Sequence, residues 1–216
     1  MEHLLEQILK EKVIVIVRKT YGKSLLSLSE ALLSGGLHFM EITFDQSDPI
    51  CIEKTTEAIQ MLNQAHTGCM TFGAGTVLTV EQVDAAANAG ASFIISPNCN
   101  PAVIRRTKEL GLLSIPGAMT PTEILAAHDY GADLVKLFPA ASLGTAYIKD
   151  ILAPISHVKM IATAGVTEEN FGDFLSLGLA GAGIGGRLTD KKLIASADWA
   201  ELSRRAAAFL KIAQEY

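Results

Sequence analysis

Cysteine is scarce in this chain: Cys51, Cys69 and Cys99 stand far apart, with no CxxC among them. An odd, scattered set excludes a disulfide framework, and the thiols are expected to be reduced, acting as small buried hydrophobes. Charge is thin as well. Only 19% of the 216 residues are charged against 49% apolar, which excludes a disordered chain and leaves ample material for one core. The net charge is -5 with no long run of Lys and Arg, which excludes a nucleic-acid surface. No apolar run approaches the roughly 20 residues that a membrane helix needs. The opening Met1-Glu2-His3-Leu4-Leu5-Glu6 lacks the charged-then-apolar form of a secretory leader. The expectation is a cytoplasmic protein with neither a membrane nor a nucleic-acid partner. The histidines, His3, His38, His66, His128 and His157, show no zinc-motif spacing, so no metal site is expected.

What is present is one pattern, repeated. A short apolar or β-branched run ends in a polar or Gly-rich turn, and a helix-like segment leads to the next run. The strands are expected at 13–18, 38–44, 70–77, 93–97, 112–119, 134–139, 159–166 and 182–188. Helical patterns fall at 25–33, 49–64, 80–89, 101–110, 121–130 and 199–214. Thr120-Pro121-Thr122-Glu123 and Thr167-Glu168-Glu169 carry helix-start signals, while Gly35-Gly36, Gly90, Gly111, Gly131 and Gly178 suit helix C-caps. The strands lack clean alternation, as expected when both faces are buried in a parallel sheet. Eight such units with no break in composition predict an α/β fold, a (β/α)8 TIM barrel in a single domain over residues 1–216. Residues 1–12 form an extra amphipathic helix, placed to plug the bottom of the barrel.

Such barrels carry their sites at the carboxyl ends of the strands. Lys136 lies in the apolar run Leu134-Val135-Lys136-Leu137-Phe138-Pro139. Burial disfavours its charged form, and a neutral amine attacks ketones. The alternative is a lysine that snorkels to water or pairs with a carboxylate. Glu41 lies in Phe39-Met40-Glu41-Ile42-Thr43-Phe44, where period two puts Phe39, Glu41 and Thr43 on one face. Inside the barrel, Glu41 either shuttles protons or forms a buried salt bridge with Lys136. Two glycine-rich ends, Thr163-Ala164-Gly165-Val166 and Gly183-Ile184-Gly185-Gly186-Arg187, follow the seventh and eighth strands. Backbone N–H groups there suit a phosphate, with Arg187 as a charged fork; ligand-free tight turns are the alternative. Thr76, in Gly73-Ala74-Gly75-Thr76-Val77, offers a hydroxyl, and Arg18 at the end of the first strand offers a bidentate grip on a carboxylate. Pro97 and Phe138 read as rigid, apolar walls.

Taken in order, Glu41-Ile42-Thr43-Phe44, Gly73-Ala74-Gly75-Thr76-Val77, Ser96-Pro97, Pro116-Gly117-Ala118-Met119-Thr120-Pro121-Thr122-Glu123, Lys136-Leu137-Phe138-Pro139 and Gly183-Ile184-Gly185-Gly186 resemble the 2-keto-3-deoxy-6-phosphogluconate (KDPG) aldolase family. Some of its members also act as 4-hydroxy-2-oxoglutarate (KHG) aldolases. The resemblance implies a homotrimeric barrel, without metal or organic cofactor, that cleaves a keto sugar acid through an imine. Lys136 matches the Schiff-base lysine and Glu41 the general acid/base. Thr76, Pro97 and Phe138 match residues around the pyruvate portion, and Gly165, Gly185 and Gly186 the phosphate site. The chain also departs from the pattern. Many members carry an arginine where Asp45 stands here, and Arg18 is the substitute expected to hold the substrate carboxylate. Ala164-Gly165 replaces a Gly-Gly, and Arg187 stands where a serine is common. Two other readings remain: a different phosphate-binding barrel enzyme, such as an epimerase or a thiamin-phosphate synthase-like protein, or a noncatalytic sugar-acid-binding protein.

Overall fold

The computed structural model describes residues 2–216. Nine parallel strand segments form one sheet: β1 (Val13–Val17), β2 (Phe39–Thr43), β3 (Thr71–Gly75), β4 (Phe93–Ile95), β5 (Leu113–Ile115), β6 (Gly117–Ala118), β7 (Val135–Leu137), β8 (Met160–Thr163) and β9 (Ala182–Ile184). Their order is β5-β4-β3-β2-β1-β9-β8-β7-β6. The segments β5 and β6 are one strand interrupted at Pro116, which has no N–H to give to a ladder. Its carbonyl still accepts from Lys136 N at 2.8 Å, and Asp133 N donates to Ser114 O at 2.9 Å. These bonds join the fifth strand to β7 while Ser96 N donates to Ile115 O from the β4 side. The sheet thus closes on itself as eight staves, the (β/α)8 barrel that the repeating pattern predicts.

Every expected strand forms, shortened at its ends. The expected helices form as well, at Gly22–Ser34, Cys51–Ala65, Val80–Asn88, Pro101–Glu109, Pro121–Asp129 and Trp199–Gln214. Thr120 and Glu123 make the full capping box that their spacing announces. Three local expectations are corrected. Of the thiols only Cys51 is buried, while Cys69 is exposed and Cys99 half-buried, because Cys69 lies in the turn after its helix. The helix after β8 starts at Phe171, not at Thr167-Glu168-Glu169, because Asn170 Oδ1 accepts from Thr167 N and holds those residues in a turn. Gly36, not Gly35, takes the positive φ at its helix end, at 89°. Helices Ala140–Leu152, Phe171–Ser176 and Lys191–Ala195 complete the ring.

Two apolar clusters flank the sheet. One lies between its outer face and the helices. The other fills the barrel, with Ile14, Phe39, Phe93, Ile95, Leu113, Ile115, Leu134 and Ile161 facing inward. Helix Glu2–Glu11 seals the lower end, setting Ile8 into this inner cluster with Leu4, Leu5 and Leu9 beside it. Burying Ile8 alone is worth about 1.5–3 kcal/mol. The barrel interior is therefore plugged at its amino end by apolar packing, while a cavity of about 660 Å³ remains outside that plug, between helix Glu2–Glu11, the starts of β2 and β3 and the C-terminal helix. Among the described residues, no helix is long and apolar enough to cross a membrane.

Candidate active site

Alternation along the strands decides what enters the barrel. Phe39 belongs to the inner cluster while Met40 and Ile42 belong to the outer one, so Glu41 points inward. By the same reasoning Leu134 and Lys136 face in, and so do Ile161 and Thr163. With β5 and β6 taken as one stave, β2 and β7 stand opposite each other, so Glu41 and Lys136 converge above the apolar floor from facing walls.

Both groups are buried: Glu41 is 0% exposed and Lys136 3%. Burial raises the Glu41 pKa above its ordinary value, against the opposing pull of Lys136 and Arg18. Burial likewise lowers the Lys136 pKa; Glu41 opposes this and Arg18 adds to it. Each group is pushed towards its uncharged form, because desolvation outweighs the mutual attraction. The buried salt bridge is not what forms. Among the described residues neither Glu41 oxygen has a hydrogen-bond partner, and no carboxylate makes an ion-pair contact with Lys136. The Lys136 Nζ instead lies 5.4 Å from the centre of the Phe138 ring.

Space for the carboxyl group comes from Gly75. A Cβ added there would stand 1.6 Å from Glu41 Oε1. Gly75→Ala is therefore expected to destabilise the fold by about 1–3 kcal/mol and to displace Glu41. A lower melting midpoint together with reduced turnover checks this.

The rim is built from the first residues beyond the strands. Arg18 Nη1 lies 3.5 Å from Thr76 Oγ1, which puts the guanidinium and the hydroxyl at one corner. Pro97 is half-buried just past β4, and Phe138 just past β7. Lys19, Thr76 and Ala164 have φ of 54°, 55° and 74°, so three strands end in left-handed residues that are not glycine. Such strain is costly and tends to gather where a backbone is held for function. Gly165 also has a positive φ of 74°, and Gly185 and Gly186 follow β9 on the adjacent stave. A Cβ on Gly186 would meet nothing within 4 Å, so this edge of the backbone is open.

Three features were not visible in the sequence. The Thr163 hydroxyl is buried inside the barrel without a hydrogen-bond partner among the described residues, one stave from Lys136. A lone hydroxyl ending the apolar run Met160–Thr163 was its only sequence signal. Arg187 does not stand free as a fork: its Nε and Nη2 meet Glu168 Oε2 and Oε1 at 2.8 and 3.1 Å. Asp45 is engaged by Lys19 at 2.9 Å.

A closed parallel barrel whose open mouth holds a desolvated lysine facing a desolvated carboxyl group defines a Schiff-base aldolase barrel, a class I lyase. The chain belongs to the KDPG and KHG aldolase family, which matches residues 5–205. It is 32% identical over 204 residues to the 2-dehydro-3-deoxy-phosphogluconate aldolase of Haemophilus influenzae, covering 94% of this chain and 93% of that one. It is 34% identical over 207 residues to the 2-dehydro-3-deoxy-6-phosphogalactonate aldolase of Escherichia coli, covering 95% and 96%. The structure is also similar to that of the KDPG aldolase of Legionella pneumophila with pyruvate captured as a covalent carbinolamine. The TM-score is 0.82 at 27% identity, covering 93% and 96%.

Proposed function

We propose that this protein cleaves 2-keto-3-deoxy-6-phosphogluconate to pyruvate and glyceraldehyde 3-phosphate, and 4-hydroxy-2-oxoglutarate to pyruvate and glyoxylate. The observation that carries the reading is the pair Lys136 and Glu41, both buried, with neither Glu41 oxygen hydrogen-bonded and no carboxylate in ion-pair contact with the Lys136 amine among the described residues. The uncharged Lys136 amine adds to the C2 ketone. Glu41, directly or through water, moves the protons by which the carbinolamine loses water to a protonated imine. Glu41, directly or through water, then takes the C4 hydroxyl proton, and the C3–C4 bond breaks. Its electron pair enters the iminium to give an enamine, and the aldehyde departs. Glu41 returns a proton to C3, and water releases pyruvate.

Arg18 and Thr76 are placed to hold the carboxylate, while Pro97 and Phe138 flank the pyruvate portion. Thr163 turns its unpartnered hydroxyl towards the same space. Gly165, Gly185 and Gly186 with Arg187 form the phosphate end. Reduction with borohydride in the presence of pyruvate, followed by peptide mapping, tests the reading: the adduct is expected on Lys136. A folded protein that yields no adduct in excess pyruvate would favour the epimerase-like or noncatalytic alternatives. The assembly expected from the family resemblance is a cytoplasmic homotrimer, and sedimentation equilibrium measures its mass.

Arg187 supplies a separate prediction. Its bidentate ion pair is half-exposed, so a phosphate dianion can take over the guanidinium at little cost. Arg187→Ala should raise KM for the phosphorylated substrate by about tenfold and leave the unphosphorylated one unchanged. Steady-state assays of both substrates check it, and an equal loss on both argues against a phosphate role.

A further inference from the structure

The corner that holds Arg18 is tied to its neighbours by a chain of contacts that the reaction itself does not use. It starts in the core, where Gln82 is 4% exposed and its Oε1 accepts from Leu78 N at 2.8 Å. Gln82 Nε2 donates to Gln46 Oε1 at 3.0 Å, and Gln46 Nε2 donates to Thr76 O at 2.8 Å. The loop after β2 is thereby locked to the loop after β3. Next to Gln46, Asp45 divides its oxygens. Its Oδ1 accepts from Ser47 Oγ at 2.7 Å and from Ser47 N at 3.2 Å, and its Oδ2 meets Lys19 Nζ at 2.9 Å. Lys19 directly follows Arg18 and sits at a φ of 54°, a strained conformation for a lysine. Beneath it, Thr43 Oγ1 donates to Val17 O at 3.0 Å, so the residues on either side of Arg18 are both held from the β2 strand and its loop.

From this chain of contacts we propose that Asp45 is a positioning residue that fixes the backbone of Arg18 through Lys19, and so presents the guanidinium beside Thr76 for the substrate carboxylate. This rests on the aldolase reading of the site and adds to it how the carboxylate grip is kept in place. An isolated exposed pair would do little. Here the Lys19 side chain is 58% exposed but that of Asp45 only 18%, and one carboxylate oxygen is already fixed by Ser47. The Ser47 and Lys19 hydrogen bonds hold the Asp45 pKa to about 2, so the anchor stays charged across the working range of pH. Prepaid orientation of this kind is what a bidentate grip requires, because a loose arginine gives up binding energy to order itself.

The test measures the pyruvate concentration that half-saturates borohydride trapping, in the full-length protein. Asp45→Asn and, separately, the exposed-side variant Lys19→Ala are each expected to raise it by about tenfold, with turnover at saturating substrate nearly unchanged. In an Arg18→Ala background, Asp45→Asn is expected to add nothing, since its effect passes through that arginine. A merely structural role would lower melting midpoint and turnover alike, whether or not Arg18 is present. An unmoved midpoint of saturation in Asp45→Asn, or an equal further shift in the Arg18→Ala background, overturns the proposal while wild-type trapping keeps the aldolase reading. A wild-type protein that traps no pyruvate overturns both.

Discussion

Lys136→Met should lose turnover by at least about 10⁴-fold and lose the borohydride-trapped pyruvate adduct entirely, because no other amine in the barrel can replace the covalent step. Methionine matches the length of the lysine stem, so the apolar packing around it survives. The ammonium is already disfavoured there: burial lowers the Lys136 pKa and, among the described residues, no carboxylate makes an ion-pair contact with it. The fold is therefore expected to tolerate the exchange, with far-ultraviolet circular dichroism unchanged. Full activity in this variant would end the imine mechanism. The same experiment separates the family's chemistry from an epimerase, which needs no lysine nucleophile.

Glu41→Gln should lower kcat by about 10²–10⁴-fold, the range for a positioned general acid and base. Substrate affinity should change far less, since the carboxyl group moves protons and does not anchor the substrate. Its effect on stability has the opposite sign. In the unfolded chain Glu41 ionises near 4.5, whereas burial in the barrel holds its proton to higher pH. Between those two values the native state binds more protons than the unfolded state, so this group's contribution to stability falls as pH rises. Glutamine carries no such proton. The variant should gain stability over the wild type as pH rises from 4.5 through the raised pKa, and show no gain below it. Denaturant midpoints measured across that window check the sign. A constant difference at every pH would mean that Glu41 does not titrate as its burial demands.

Such a trade is typical of sites that carry reactive groups in apolar surroundings: the groups cost stability and are kept for chemistry. Both oxygens of Glu41 and the hydroxyl of Thr163, buried with no hydrogen-bond partner among the described residues, fit the same account. The strained ends at Lys19, Thr76 and Ala164 lie along that rim as well.

The barrel and the odd charged residues Lys136 and Glu41 inside apolar strands were legible in the sequence, because both follow from local periods. Alternating apolar and helical runs mark the βα units. A single charged residue inside an apolar strand has only two directions to point, and it took the folded barrel, which sets Leu134 and Phe39 in the inner cluster, to choose the inner one. What periodicity does not carry is which residue meets which across the staves. Closure through the Pro116 carbonyl puts Lys136 opposite Glu41 without pairing them, and the turn after β8 delivers Glu168 to Arg187. The link from Gln82 through Gln46 to Asp45 and Lys19 likewise joins loops that are distant in sequence. The chain alone determined the strands, the helices and the reactive residue types, since these depend on neighbours within a turn or a strand. Only the closed barrel decided the partners, because burial and contact at its mouth arise when eight separate strand ends are brought to one place.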